Sequence, residues 1–152
     1  MWTRGRVSKA NLIVPCPICE RKVSIRTLRA RSNLQMNIID GVAVGNIVVV
    51  SEGNIAGQSC ICDLSGEETI GILEQRASTV IRNEIQDALD ICKEVGTDVF
   101  GFASTLHRRD ATLWRRYKDR WYEEFSNLEV ELEVELTIRR AGLTKRPIIL
   151  NN

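Results

Sequence analysis

Long hydrophobic runs are missing from this chain. The longest is Ile47 to Val50, four residues of the 152. A membrane-spanning helix needs about 20, so no helical span is expected. The first residues, Met1-Trp2-Thr3-Arg4-Gly5-Arg6, carry charge with no apolar stretch behind it, which is not the pattern of a secretory leader. Histidine is nearly absent: His107 stands alone. No glycine-rich phosphate loop, H-E-x-x-H, G-x-S-x-G or paired-carboxylate motif occurs. Gly41-Val42-Ala43-Val44-Gly45 leads into a β-branched run rather than a helix, so it fails the test of a nucleotide loop. Proline is scarce, at three. Five cysteines, an odd number, cannot close a complete disulfide framework. No repeat, low-complexity tract or linker divides the chain. These absences leave one soluble globular domain, large enough to hold a core without staples, and no residue set that marks an enzyme.

What is present is segregated. From 1 to 36 eight Lys/Arg stand against one acid; from 37 to 106, three against eleven; from 107 to 120, six against two; from 121 to 152, four against six. These sum to the net +1 of the whole. Segregated charge makes surfaces of opposite sign, which bear on partners rather than on fold. Aromatics are segregated too. Seven of eight lie between Phe100 and Phe125, the other being Trp2, so the core is expected to gather there, with Phe100, Trp114, Trp121 and Phe125 inside it.

The chain order reads as strands, then helices, then a strand. Asn11 to Val14 is an edge strand ended by Pro15. Lys22 to Arg31 alternates, and its phase flips after Thr27, from Val23, Ile25 and Thr27 to Leu28 and Ala30, which suggests a bulge. Ser32-Asn33 and Asp40-Gly41 read as turns. Val42 to Val50 is a β-branched strand, Glu52-Gly53-Asn54 a hairpin turn, and Ile55 to Leu64 the returning strand. Ser65 with Glu68 forms a capping box. The stripe Ile70, Leu73, Ala77, Ile81, Ile85, Ala88, Cys92, Val95 then predicts a helix of about 30 residues, closed by Gly96. Thr97-Asp98 caps a second, short helix from Val99 to about Leu106, and Asp110 a third from Ala111 to Phe125. Leu128 to Ile138 alternates strictly with Glu129, Glu131, Glu133 and Glu135, a strand with one solvated or partner face. The fold class is α+β: a mostly antiparallel central sheet with one long and two shorter helices packed on it.

Three constellations could carry chemistry. Cys16, Cys19, Cys60 and Cys62 form C-x-x-C and C-x-C, enough thiols for a tetrahedral zinc site. A C-x-C inside a strand, however, sends both thiols to one face, and a C-x-x-C ahead of a strand lacks the helix N-terminus that a redox pair uses. The expectation is therefore free core thiols and no metal, with zinc the alternative. His107 in His-Arg-Arg reads as a solvated turn. Arg115, Arg116, Lys118 and Arg120 beside Trp114, Tyr117 and Trp121 mix charge with rings, as single-strand binders do. Yet the near-neutral total and the helical spacing fit an ordinary surface helix, so no nucleic acid is expected.

Aspartate 98 to Phe102 (D-V-F-G-F), the basic turn His107-Arg108-Arg109, Trp114-x6-Trp121-x3-Phe125 and the long terminal strand ending near Gly142 resemble the C-terminal domain of the spore-germinant-receptor C-subunit family, often written Ger(x)C. The resemblance extends over nearly the whole chain. Trp2 to Val7 is similar to the family's W-x-x-G-x-V strand, and Leu12 to Pro17 and Val23 to Arg26 to the segments after it. Ala103 stands where the family often has glycine, and Gln58 near the place of a strand glutamate. The V-P-C-P-like sequence of the family favours reading Cys16 as an ordinary core thiol. The resemblance implies a non-enzymatic subunit acting in spore germination at the inner spore membrane, on its outer face. It implies membrane-embedded A and B receptor subunits as partners. In a full-length lipoprotein, a signal peptide, lipid anchor and two further domains would precede residues 1–152. No catalytic residue or cofactor is carried over. The surfaces expected to meet a partner are the basic helix face, Arg115, Arg116, Lys118 and Arg120, and the acidic strand face, Glu129, Glu131, Glu133 and Glu135. A small zinc- or nucleic-acid-binding module is the alternative.

Overall fold

Strand alternation governs the first half of the chain, and its interruptions shape the sheet. The computed structural model describes residues 9–139. The segments Trp2 to Val7 and Arg140 to Gly142 lie outside the described residues. β1 (Asn11–Pro15), β2 (Lys22–Ile39), β3 (Val42–Gln58) and β4 (Glu129–Ile138) form one sheet in the order β1-β2-β3-β4. β1–β2 and β2–β3 are antiparallel and β3–β4 is parallel, so the sheet is mostly antiparallel, as expected.

β2 and β3 are far longer than the sequence suggests. They form a single ribbon, with Asp40 and Gly41, both at positive φ, as its turn. Ser32-Asn33 and Glu52-Gly53-Asn54 are not turns; they pair inside the ribbon as Ser32 with Val49, Asn33 with Val48, and Glu52 with Arg29. Gly53 serves close approach instead. A Cβ there would lie 2.9 Å from the carbonyl oxygen of Arg26, a distance only glycine avoids. The phase flip in β2 is a bulge: Thr27 pairs with Gly53 and Arg29 with Glu52, leaving Leu28 unpaired and exposed, while Ala30 is buried. A second irregularity leaves Ala56 unpaired on β3.

α1 (Glu67–Val95) crosses the sheet. Ile70, Leu73, Ala77, Ile81, Ile85, Leu89 and Cys92 are buried, and Val95 is exposed. The true stripe thus takes Leu89 where Ala88 was expected. Ser65 does not cap α1. Its hydroxyl donates to Asp63, and Gly66 holds the cap position. Gly96 ends the helix at φ 68°, its N–H directed to the carbonyls of Cys92 and Lys93. α1 also covers part of the sheet's β4 edge: Ser78 Oγ accepts from the Leu136 N–H, and Glu74 Oε1 from the Ile138 N–H. Edge donors that would otherwise invite strand pairing are thereby satisfied.

α2 (Phe102–Arg109), α3 (Ala111–Tyr117) and α4 (Trp121–Ser126) cover the hairpin end. The helix expected from Ala111 to Phe125 is interrupted by a single 3-10 turn at Lys118–Arg120. α2 starts at Phe102 rather than at Val99, with Gly101 in the N-cap position at φ 88°; Asp98, three residues ahead, still holds the helix start, its carboxylate accepting from the N–H groups of Gly101, Phe102 and Ala103. Asp110 caps α3 through the Leu113 N–H. Phe102, Leu106 and Phe125 are fully buried, and Phe100, Trp114 and Trp121 pack half-buried around them. No helix among the described residues is long and apolar enough to cross a membrane.

Candidate functional site

The four cysteines of the C-x-x-C and C-x-C pairs come together. The sulfur atoms of Cys16, Cys19, Cys60 and Cys62 all lie within 4.8 Å of one another. This corrects the argument from strand geometry. β3 ends at Gln58, so Cys60 and Cys62 stand in the irregular segment between β3 and α1, where alternation does not bind them. Cys16 and Cys19 occupy the turn between β1 and β2. That turn is closed by the Cys16 N–H to the Arg21 carbonyl and the Glu20 N–H to the Cys16 carbonyl, with Glu20 left-handed at φ 60°.

The segment after β3 is fixed from within. Gln58 is buried, and its Nε2 donates to the carbonyls of both Cys60 and Cys62 and contacts the Cys60 sulfur at 3.7 Å. The Ser59 N–H donates to the Lys22 carbonyl, and the Lys22 N–H to Ser59 Oγ, so the two cysteine-bearing segments are tied to each other by backbone as well. Ile18 donates its N–H to the Cys16 sulfur at 3.4 Å. Cys16 is fully buried, Cys60 nearly so, Cys62 half-buried and Cys19 exposed. The Arg21 N–H holds the Cys19 thiol down to about 7. Burial pushes Cys60 up. The hydrogen bond shared with Cys19 pushes Cys62 up to about 12. Crowded sulfurs cannot all ionise without a counter-charge. Cys92 lies apart, buried on α1.

The two charged surfaces lie on different elements, and Glu129 lines a cavity shared with Tyr117, Trp121 and Glu124. Arg115, Arg116, Lys118 and Arg120 are all exposed on α3 and the 3-10 turn. Arg120 pairs with Glu124 at 3.1 Å and lies over the Tyr117 ring. Glu129, Glu131, Glu133 and Glu135 are exposed along β4. Across β3, Glu135 and Arg31 both flank Val50, Arg82 of α1 lines one surface cavity with Glu135, and Arg29 and Arg139 both pair with Glu52 of β3. His107 is exposed, its ring 6.1 Å from that of Trp114.

The family model for the C-terminal domain of spore germination B3/GerAC-like proteins matches residues 1–142. Spore germination protein KC of Bacillus subtilis (strain 168) is 23% identical over 149 residues, which are 97% of this chain and 37% of that protein. The crystal structure of the GerBC protein superposes with a TM-score of 0.77 over 90% of this chain and 42% of its own length, at 15% identity. The chain therefore spans about two fifths of the relatives it matches. Its α+β architecture is shared with that solved structure.

Proposed function

The chain belongs to the spore germination B3/GerAC-like family through that family's C-terminal domain, and from this premise we propose that it is a non-enzymatic interaction domain of a nutrient-germinant receptor. The observation that carries the reading is the unbroken family match from residue 1 to residue 142. In this reading the domain is part of a lipoprotein, held by its lipid anchor on the outer face of the inner spore membrane, and it meets membrane-embedded A and B subunits. It works by presenting surfaces, not by chemistry. The basic face of α3 and its following turn and the glutamate face of β4 are the surfaces with the charge to select a partner. Complementary charge sets register and encounter rate more than it sets total affinity.

The test uses the full-length lipoprotein in spores. Charge reversal at Arg115 and Arg116, and separately at Glu131 and Glu133, is followed by recovery of the A and B subunits with the C subunit and by nutrient-triggered germination. At least one pair is expected to lose recovery and germination together while the protein still accumulates. Wild-type assembly and germination in both pairs would overturn the assignment of these surfaces. A C subunit absent from the spore membrane fraction would overturn the reading as a whole.

A further inference from the structure

We propose that Cys16, Cys19, Cys60 and Cys62 form a structural zinc site, which fastens the β1–β2 turn to the segment between β3 and α1. Four observations converge on it. First, four sulfurs from two segments more than 40 positions apart meet within 4.8 Å. A zinc ion with bonds of about 2.3 Å to sulfur sets tetrahedral edges of about 3.8 Å, so the cage closes on an ion by small side-chain movements. Second, the set is complete. Four protein ligands with no histidine or carboxylate among them make a closed structural site rather than a catalytic one, which keeps a position open. Thiolates also select soft ions over calcium or magnesium.

Third, N–H groups are already aimed at the sulfurs, from Ile18 to Cys16 and from Gln58 to Cys60. Thiolate ligands need such donors to spread their charge, and outer partners of this kind orient the ligands themselves. Gln58 is the notable case. It is a buried amide that grips both residues of the C-x-C pair by their carbonyls. Fourth, the surroundings call for a fastening. β1 is five residues long and pairs only with the first residues of β2, and the 59–66 segment has no regular structure. Binding displaces the protons of the ligating thiols to solvent and leaves a site of net charge −2, with Glu20, Arg21 and Lys22 following Cys19 and Asp63 following Cys62 in the chain.

The test begins with the whole 152-residue chain, purified without chelator and with a phosphine reductant present, so that air oxidation does not mimic a failed site. After incubation with zinc and desalting, mass spectrometry of the metal is expected to read about one zinc per chain. Cobalt(II) in its place is expected to give the intense visible bands and sulfur charge-transfer absorption of tetrahedral thiolate coordination. Cys19→Ser, at the exposed ligand, is expected to abolish both, and Cys92→Ala, outside the cluster, to change neither. Gln58→Ala is expected to weaken zinc about 10- to 100-fold. The cobalt spectrum of the unaltered chain keeps the test decisive even if a variant misfolds. The proposal is overturned by a reduced chain that retains no zinc, by a weak octahedral cobalt spectrum, by Cys19→Ser holding zinc like the parent, or by an isolated chain that carries iron instead.

Discussion

The two ends of the β2–β3 ribbon are held in different ways. At the hairpin end the chain spends its aromatics. Phe102 contacts Phe100 and Phe125 at ring distances of 5.9 and 6.1 Å, and Trp121 continues the series to Trp114, edge-on at 5.4 Å. At the opposite end no aromatic residue lies in the described core. Leu12, Val14, Val23, Ile25 and Leu64 are joined there by Cys16 and Cys60. Rings bury large areas each; these aliphatics and thiols bury less, and the irregular 59–66 segment is tied to β2 by the Ser59 N–H to the Lys22 carbonyl. The aromatic end draws on the burial of Phe102, Leu106 and Phe125. The cysteine end has a reason to recruit a metal.

The sharpest break of that contrast comes from the aromatic side. Phe102→Ala removes a fully buried ring and is expected to cost about 3–5 kcal/mol, read as a lowered urea midpoint with an unchanged slope. Trp121→Ala should cost less, because Trp121 is only half-buried, although the sequence alone gives it equal rank with Phe125. A Trp121→Ala loss equal to that of Phe102→Ala would show that the helices α3 and α4 carry more of the core than their exposure indicates.

Metal removal is the matching break on the other side. With zinc held about a hundredfold above its dissociation constant, binding contributes about 2.7 kcal/mol. A strong chelator should then lower the melting temperature by about 5–11 °C. Hydrogen exchange should accelerate in residues 11–26 and 57–66 and stay unchanged from 98 to 128. Faster exchange at the aromatic end instead would show that the two ends are one cooperative unit.

How far each end could be read from the sequence follows from what specifies it. The aromatic end rests on local signals. Asp110 and Gly96 cap by chemistry confined to a few residues, as each does in the structure, and Asp98 binds the start of α2 although Gly101 takes the cap position and the helix begins at Phe102. The glutamate alternation in β4 and the phase flip at Thr27 are equally local. The cysteine end rests on where strands stop, and that was obscured. Gly53 looks like a turn but permits close backbone approach inside the ribbon. A turn at Gly53 would place Cys60 and Cys62 inside a returning strand from Ile55 to Leu64, whereas β3 runs through Gly53 and ends at Gln58. Once β3 is seen to end at Gln58, the same C-x-C spacing that argued against a metal becomes compatible with one. The 3-10 turn at Lys118–Arg120 was hidden for a related reason. Trp114, Tyr117, Trp121 and Phe125 keep steps of three and four whether or not the helix between them is continuous.

A smaller effect tests the cap that anchors the aromatic end. Asp98 receives three backbone N–H groups at the start of α2, and Asp98→Ala should cost about 1–2 kcal/mol. Asp98→Asn retains an acceptor oxygen and should recover part of that loss. Should both variants match the parent in urea, α2 would be held by Phe102 and Leu106 alone, and the D-V-F-G-F segment would owe its aspartate to something other than stability.

The smallest expected change in stability concerns the surfaces offered to partners. Arg115 and Arg116 are exposed, and no ion pair among the described residues involves either. Reversing both to glutamate should therefore shift the unfolding free energy by no more than about 0.5 kcal/mol per residue. Arg120, which pairs with Glu124 and covers the Tyr117 ring, should lose somewhat more when truncated, since a long cation over a ring contributes packing as well as charge. This separation is what makes Arg115 and Arg116 the cleaner probes. A loss of receptor assembly from a domain that melts like its parent points to a contact made by those side chains. The same loss accompanied by early melting would return them to the fold and leave the partner surface to the glutamates of β4.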